Sequence, residues 1–306
     1  MLLTYWRGRS TKADMMRIRT AVLLGLALVG ITAAATSGAG RASAAGPQQP
    51  AKLRVATYNI HAGAGEDDVF DLNRTAAALQ QTGAGVIGLQ EVDVHWADRS
   101  DFVDEAQLLA GRLDMHVYFA PIYDEPPLTA GAPDRKFGTA ILSRYPIVSA
   151  VDHDITRLST QDPNPTPEPA PGFPEVRILV HGTVVRIFDT HLDYRSDPSV
   201  RRLQVADMLR IIGSHPRHTI LLGDFNAAPD AAELAPLWTD LVDVLAKTPN
   251  SGQLTYPAIT PTARDDYVAG THDIGITDAY VPDIEIGGTQ ASDHRPVVAD
   301  LEINRW

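Results

Sequence analysis

Short apolar runs rich in Val and Ile alternate along this chain with polar turns and a few amphipathic segments. Apolar runs of roughly four to eight residues, bounded by turn-forming residues, are typical of β-strands. They predict strands over Leu53–Ile60, Val86–Val92, Val117–Pro121, Thr139–Ser143, Arg177–Val180, Val184–Asp189, Thr219–Leu222, Asp273–Thr277 and Val297–Ile303. Apolar residues at three- and four-residue steps predict helices over Leu72–Gln81, Asp104–Leu113, Val200–Ile212 and Ala231–Leu245.

The way these elements follow one another indicates the fold class. Two strands flank a short His181-Gly182 turn, which predicts a β-hairpin over Arg177–Asp189. Hairpins mixed with helix-linked strands favour an α+β arrangement, with antiparallel or mixed sheets and helices outside. The segment Thr160–Pro174 holds six prolines and is predicted to be a loop. Since no linker divides the rest, we predict a short linker over residues 46–52 and a single domain over 53–306.

The beginning of the chain has the pattern of a secretory signal peptide. Arg17 and Arg19 precede an apolar run over residues 21–35, and the sequence Ala42-Ser43-Ala44 follows it. A positive segment, a short apolar segment and an A-x-A site are the signature of a cleaved export signal. The apolar run is shorter than the ~20 residues of a membrane-spanning helix. The sequence therefore predicts a signal peptide over residues 1–45 and a protein that is secreted from the cell.

Composition and charge exclude several classes of protein. The 306 residues carry 26 Lys and Arg against 38 Asp and Glu, and no Cys. The absence of Cys excludes disulfides, Cys-ligated metals and thiol nucleophiles. Residues 46–306 have a net charge of −17, because six basic residues and only one acid precede them. Such a surface repels polyanions at long range, which argues against a generic nucleic-acid binder.

Polar side chains follow several predicted strands at the point where each strand ends. They are Asn59, Glu91, His191, Asp224 and Asn226, and Asp293 and His294 stand just before the last strand. Each alone is explained by a turn, a cap or a solvated strand end. Together they indicate a site at one rim of a sheet, because loops at strand ends carry binding and chemistry. Oxygen ligands of this kind suit a hard cation such as Mg²⁺ or Mn²⁺.

The chain resembles the endonuclease/exonuclease/phosphatase superfamily, which includes deoxyribonucleases, neutral sphingomyelinases and inositol-phosphate phosphatases. The matching segments occur in the superfamily's order: Thr57–His61, Leu89–Asp93, Gly138–Pro146, Thr190–Asp193, Arg202–Gln204, Leu222–Asn226, Asp266–Val268 and Ser292–Pro296. The resemblance implies a four-layer α/β/β/α sandwich, in which two mixed β-sheets pack face to face with helices outside. It also implies an active site at one end of that sandwich.

The resemblance further implies roles for individual residues. Glu91, with Asn59 and Asp293, is expected to hold the Mg²⁺ or Mn²⁺ ion. The expected catalytic residues are His191, Asp224, Asn226, Asp266 and His294, and Arg177 is expected to bind the substrate phosphate. Two alternatives stay open: Asp273 as the partner of His294 in place of Asp266, and the group that takes the proton of the attacking water. The number of metal ions also stays open.

The sequence thus predicts a secreted, Mg²⁺-dependent phosphoesterase that hydrolyses a phosphodiester or a phosphomonoester. Its substrate is a nucleic acid, a phospholipid or sphingolipid headgroup, or a small phosphoester. Trp96, Tyr123 and Phe173 fall in predicted loops but form no cluster in the sequence, so they do not single out a lipid substrate. The alternative from another class is a non-catalytic binding module on the same fold. A monomer without a stable protein partner is expected.

Overall fold

A computed structural model describes residues 49–305, which contain two six-stranded β-sheets. The predicted signal peptide over residues 1–45 lies outside the described residues, and so do residues 46–48 of the predicted linker. The strands are numbered β1–β14 and the helices α1–α3 in chain order. Within residues 49–305 no helix has both the length and the apolar character that crossing a membrane requires.

The first sheet has the strand order β11-β14-β1-β2-β4-β3. Its strands are β1 (Ala51–Asn59), β2 (Val86–Val94), β3 (His116–Glu125), β4 (Arg135–Ser143), β11 (Ile274–Tyr280) and β14 (Val297–Ile303). Strands β1 and β2 are parallel and are joined through helix α1 (Leu72–Thr82), whereas the other pairs in the sheet are antiparallel. Helix α2 (Glu105–Leu113) connects β2 to β3.

The second sheet has the order β5-β6-β7-β8-β10-β9. Its strands are β5 (Ile147–Arg157), β6 (Glu168–Val180), β7 (Thr183–His191), β8 (Thr219–Asp224), β9 (Leu241–Asp243) and β10 (Asp266–Thr271). As in the first sheet, one central pair is parallel: β7 and β8, joined through helix α3 (Ser199–Ile212). A small hairpin of β12 (Glu285–Ile286) and β13 (Thr289–Gln290) lies apart from both sheets.

The two sheets pack face to face through apolar side chains from both. Fully buried residues such as Val55 and Val86 from the first sheet meet Val185 and Ile220 from the second. Each buried side chain of this size contributes about 1.5–3 kcal/mol relative to an exposed one. Helices α1 and α2 cover the outer face of the first sheet, and α3 covers that of the second. The predicted four-layer α/β/β/α sandwich is thereby confirmed.

Several predicted boundaries were wrong, for identifiable reasons. Strand β1 begins at Ala51, inside the predicted linker, because Ala51 and Lys52 pair with the end of β14. The predicted helix over Ala231–Leu245 is wrong: its apolar residues lie in two short 3₁₀ turns and in β9. The second half of the Pro-rich segment is not a loop but the start of β6, where Glu168 pairs with Arg157 of the edge strand β5. Proline is tolerated there because this part of β6 pairs with β5 alone, whereas β7 pairs only with the later residues from Glu175 to Val180.

Candidate active site

The two parallel strand pairs bring four predicted site residues to the same end of the sandwich. Asn59 ends β1, and Glu91 lies near the end of β2, its parallel neighbour. His191 ends β7 and Asp224 ends β8, and these two residues are paired in the register of the second sheet. Carboxyl ends of parallel strands are where open sheets place their functional groups. The connecting helices α1 and α3 therefore explain why these side chains converge.

A glycine allows β8 to approach β7 at this end. Gly223 has φ +154°, and a Cβ atom built on it would lie 2.3 Å from the backbone oxygen of Thr190. Any side chain there would force the strands apart just before Asp224. Because Gly223 has no side chain, Asp224 can lie between His191 on β7 and Asp266 on β10. Asp224 is paired in register with both residues.

Asp224, Asp266 and His294 form the centre of the site. One ligand atom from each lies within 4.8 Å of the others, and all three residues are buried. His294 Nδ1 is 2.9 Å from Asp266 Oδ2, and His294 Nε2 is 3.7 Å from Asp224 Oδ2. Asp273 instead accepts hydrogen bonds from Thr271 Oγ1 and from the backbone N–H of His218. Of the two alternatives for the partner of His294, the geometry selects Asp266.

The surroundings of His294 favour its charged form. Burial alone acts against the imidazolium, but the nearby carboxylates of Asp266 and Asp224 outweigh it and raise the pKa of His294 well above its ordinary value. Because Asp266 is an acceptor, Nδ1 of His294 donates to it, and this leaves Nε2 facing Asp224. The pair thus presents one fixed imidazole N–H next to a second carboxylate.

Asn59 connects this centre to Glu91. Its side-chain amide donates to Glu91 Oε1 and to Asp224 Oδ2, both at 3.0 Å. Glu91 has φ +54° at an irregularity in the pairing of β2 with β4. A bulge of this kind turns a side chain away from the regular alternation, and such strain is concentrated at functional sites. Glu91 is consequently half-buried at the rim while its neighbours on β2 are buried.

Asn226 and His191 form another side of the site. The backbone N–H of Asn226 donates to Asp224 Oδ1 at 2.8 Å, and its side-chain amide donates to the backbone oxygen of Leu192 at 3.0 Å. Asn226 has φ +49°, a conformation that Asn tolerates better than most residues. Nε2 of His191 lies 3.7 Å from Asp224 Oδ2. Both predicted residues therefore contact Asp224 or lie close to it.

Asp293 stands at the rim together with residues that the sequence analysis missed. Its Oδ1 atom is 3.8 Å from Nδ1 of His61, a residue that follows Asn59 by two positions. Burial and the charges of Asp224 and Asp266 raise the pKa of Asp265 to about 6. The ring of Tyr256 packs on the imidazole of His294, with centroids 4.7 Å apart. Only the position of His61 next to a motif residue could have pointed to it.

A buried polar network supports the site from within the sandwich. Gln90 donates through its amide to Asp189 Oδ1 at 2.6 Å and to Thr57 Oγ1 at 3.1 Å. Asp189 is fully buried, and burial raises its pKa well above the ordinary value. A Cβ atom at Gly88 would lie 2.5 Å from Asp189 Oδ1, so the sequence leaves room for this carboxyl group. The network ties β2 to β7 directly below Glu91 and His191.

Arg177 does not join the other predicted site residues. It lies on β6 and is paired with Arg186 of β7. Arg186 precedes the site residue His191 on the same strand by five positions. Val176 and Ile178 point into the core between the sheets, so strand alternation directs Arg177 to the outer face. There its guanidinium donates to Glu175 Oε1 at 3.1 Å. The expectation that Arg177 binds the substrate phosphate is therefore corrected.

A different arginine lies beside the site. Arg157, at the end of β5, is buried and donates to the backbone oxygens of His191, Pro171 and Gly172. Burial lowers its pKa to about 10, so it still carries a charge at neutral pH. No carboxylate within residues 49–305 accepts a hydrogen bond from it. A lone arginine after a polar edge strand offered no sequence signal for this position.

Comparison with known proteins agrees with this architecture. The sequence matches the endonuclease/exonuclease/phosphatase family over residues 56–294. It is 28% identical over 166 residues to protein cwh43 of Schizosaccharomyces pombe, a match that covers 54% of this chain and 15% of that protein. The chain thus corresponds to well under two thirds of the length of this curated relative.

Solved structures share the fold at low sequence identity. An endonuclease/exonuclease/phosphatase from Beutenbergia cavernae superposes with a TM-score of 0.68 at 24% identity, over 83% of this chain and 72% of the other. A mannosyl-6-phosphatase from Bacteroides thetaiotaomicron superposes with a TM-score of 0.61 at 18% identity, over 81% and 99% of the two chains. The chain belongs to the endonuclease/exonuclease/phosphatase family, whose members are hydrolytic phosphoesterases.

Proposed function

We propose that the protein is a divalent-metal-dependent phosphoesterase that cleaves a P–O bond by attack of water. The observation that carries this proposal is the convergence of Asp224, Asp266 and His294 within 4.8 Å, at the strand ends that also hold Glu91 and Asn59. Hydrolysis of a phosphoester requires an oriented water, neutralisation of charge on the phosphoryl oxygens and a proton for the leaving oxygen. Each requirement has a candidate among these side chains.

The donor set fits a hard divalent cation. Glu91 and Asp293 offer carboxylate oxygens of the kind that Mg²⁺ or Mn²⁺ prefers, and Asn59 offers an amide oxygen that also accepts the backbone N–H of His61 at 3.1 Å. Carboxylates crowd this end of the sandwich, and burial together with the negative charges of Asp224 and Asp266 raises the pKa of Asp265. When bound, the ion would neutralise charge on the phosphoryl group and polarise its oxygens. Glu91, Asn59 and Asp293 are the residues that we propose would hold it.

The remaining residues are assigned by what they can donate or accept. Asp224 accepts hydrogen bonds from Asn59 and Asn226, which fix its carboxylate in a position to orient the attacking water. His294, held through Nδ1 by Asp266, presents Nε2 to a phosphoryl oxygen. Nε2 of His191 lies 3.7 Å from the same Asp224 oxygen as Nε2 of His294, and it is placed to donate to the phosphate or to the leaving oxygen. Asn226 helps to orient the phosphate.

The charge of the chain bears on the substrate. The net charge of −17 over residues 46–306 disfavours a long polyanion and supports a small phosphoester or a lipid headgroup instead. The predicted signal peptide supports a second proposal, that the protein works outside the cytoplasm. N-terminal sequencing of exported protein should find a chain that begins near Ala45. A chain that still contained residues 21–35 would contradict the export proposal.

The test of the proposed function is hydrolysis of p-nitrophenyl phosphate and bis(p-nitrophenyl) phosphate by the purified protein. We expect activity with Mg²⁺ or Mn²⁺ that EDTA abolishes. In Glu91→Ala the Mg²⁺ concentration for half-maximal activity should rise at least about tenfold, with partial recovery at high Mg²⁺. Glu302→Ala is the matched control, because Glu302 pairs with Lys52 at the opposite end of β1.

The other outcomes distinguish the alternatives. Activity that persists in EDTA would overturn the proposed metal dependence but not the proposed hydrolase activity. A folded protein that cleaves neither ester, with or without a metal, would favour the non-catalytic binding module. An equal response of Glu91→Ala and Glu302→Ala to Mg²⁺ would remove Glu91 from the proposed metal site.

A further inference from the structure

A recess opens directly beside His191, between the β3–β4 hairpin and the end of β5. The side chains that give it its chemical character are Tyr123, Phe137, Arg157, His191, Asp193 and Gln204. His191 lines this recess and also lies 3.7 Å from Asp224, so a group bound here would be adjacent to a phosphate held in the active site. The recess is therefore placed to bind the part of a substrate that carries the phosphate.

One wall of the recess is aromatic. Tyr123 and Phe137 are paired across β3 and β4, and their rings are nearly parallel at 23°, with centroids 6.2 Å apart. Trp96 packs on both rings, at 6.0 Å and 5.9 Å. The guanidinium of Arg135 lies 5.3 Å from the centre of the Trp96 ring. Trp96 and Tyr123, which form no cluster in the sequence, are thus brought together with Phe137 in the fold, whereas Phe173 is buried in the core.

The other side chains of the recess supply fixed polar groups. Arg157 uses three N–H groups on backbone oxygens, which leaves two of the five N–H groups of a guanidinium. Gln204 accepts from the backbone N–H of Asp193 through Oε1, so its amide N–H groups face elsewhere. Asp193 pairs with Arg195 through Oδ2. Donors and an acceptor are thereby held by backbone contacts beside a rigid apolar wall.

This combination selects among ligand classes. Binding sites place a few polar groups within mostly apolar walls, and these groups fix the ligand's orientation. A hydroxylated ring has apolar C–H faces that pack on aromatic rings and several hydroxyls that pair with an arginine, a carboxylate and an amide. An acyl chain would cover these buried polar groups without satisfying them, which is costly.

We propose that the recess binds a hydroxylated ring, a sugar or a cyclitol, whose phosphoester is cleaved in the adjacent site. This proposal rests on the proposed phosphoesterase function and names its substrate class. Arg157 and Asp193 pair with hydroxyls of the ring, and Tyr123 and Phe137 pack against one of its faces. We expect the recess to bind a ring whose hydroxyls pair with its buried polar side chains more tightly than a ligand that leaves these side chains unpaired.

The test measures inhibition of p-nitrophenyl ester hydrolysis by phosphates with different carbon skeletons. Mannose 6-phosphate and myo-inositol 1-phosphate should inhibit with constants at least about tenfold below those of glycerol 3-phosphate and inorganic phosphate. Adenosine 5′-monophosphate serves as the nucleotide probe. Because every ester among these probes carries the same phosphate group, differences between their inhibition constants report on the recess. This holds whether the enzyme prefers monoesters or diesters.

Matched variants locate the effect. Phe137→Leu keeps an apolar side chain but removes the aromatic face, and should raise the inhibition constants of the two ring phosphates at least about fivefold, with a smaller change for glycerol 3-phosphate. Phe119→Leu makes the same substitution on β3 among the residues that pack with helices α1 and α2, and should leave all constants unchanged. The wild-type comparison stands even where a variant folds poorly.

A second readout needs no catalysis. In EDTA, the two ring phosphates should raise the melting temperature more than inorganic phosphate does, and Phe137→Leu should lose that difference. If neither ester is cleaved, the phosphoesterase function fails, while this thermal shift still decides on the recess. Equal effects of ring phosphates and glycerol 3-phosphate would overturn the proposal. So would binding of the nucleotide that is tighter than binding of ribose 5-phosphate and of either ring phosphate, because the base rather than a hydroxylated ring would then occupy the recess.

Discussion

The second sheet carries two clusters of charged side chains that have opposite balances of charge. The site cluster, defined as Asp224, Asp266, His191 and His294, lies at the end of β7 and β8. The Glu175 cluster, defined as Glu175, His153, Arg177 and Arg186, lies on the outer face of the same sheet. Each contains a histidine bonded to a carboxylate, at 2.9 Å for His294 and at 3.1 Å for His153.

The difference lies in what surrounds each carboxylate. Burial alone would raise the pKa of Glu175, but hydrogen bonds from Arg186 and Arg177 lower it to about 2. In the site, burial and the charge of Asp224 instead raise the pKa of Asp266, against the opposing effect of His294. In the Glu175 cluster, the positive charges of Arg177 and Arg186 balance the negative charge of Glu175. The site cluster keeps an excess of negative charge and is therefore suited to bind a cation.

The largest effect that separates the clusters is expected from removing each histidine. His294→Ala should lower kcat/KM on a p-nitrophenyl ester by about 10²–10⁴-fold, the range of a general acid–base group, without rescue by added Mg²⁺. His153→Ala removes an imidazole with a similar carboxylate contact and should change kcat/KM less than about twofold. Circular dichroism checks that both variants fold. Equal losses in the two variants would assign His294 a structural role only.

Much of the architecture could be predicted from the sequence because strand ends carry a readable signal. Asn59, His191 and Asp224 each follow an apolar run, and parallel pairing gathers such ends at one rim. Strand β14 was predicted with both of its ends, since Val297–Ile303 is an apolar run bounded by Pro296 and Asn304. The order of the motifs supplied the rest of the fold through family resemblance.

What the sequence left hidden depends on contacts between distant segments. Strand β5 is a half-exposed edge strand with polar residues on both faces, so it shows no apolar run. Arg177 was expected from the family resemblance to bind the phosphate, but its direction is set by strand alternation and by Glu175. The aromatic wall of the recess combines Trp96, Tyr123 and Phe137 from three segments. Pairing registers create these neighbours, and no local pattern encodes the registers.

The next effect concerns stability, and it belongs to the Glu175 cluster. The pKa of Glu175 is about 2 in the folded protein and about 4.5 in the unfolded chain. Its ionised form therefore stabilises the fold fully above pH 4.5, and this contribution is lost as the pH falls towards 2. The expected contribution is about 3 kcal/mol, from about 1.4 kcal/mol for each pKa unit.

Urea unfolding of the wild type and of Glu175→Gln measures this contribution. At pH 7 the variant should be less stable, and the difference between the two proteins should shrink between pH 4.5 and pH 2. Other carboxylates titrate in both proteins, so only the difference reports on Glu175. A difference that stayed constant over this range would mean that Arg177 and Arg186 do not lower the pKa of Glu175.

The smallest effect compares Arg157, which lies beside the site, with Arg177, which lies on the outer face of the second sheet. Arg157 holds the backbone oxygen of His191 at 3.1 Å and two oxygens of β6, and a lysine, with a single ammonium group, would lose this three-way contact. Because small misplacements of reacting groups are costly, Arg157→Lys should lower kcat/KM about tenfold. Arg177→Lys should change it less than about twofold, since Arg177 donates to Glu175 on the outer face. Both rates are measured well below the melting temperature and corrected for the folded fraction. The reverse order of losses would return Arg177 to the site and remove Arg157 from it.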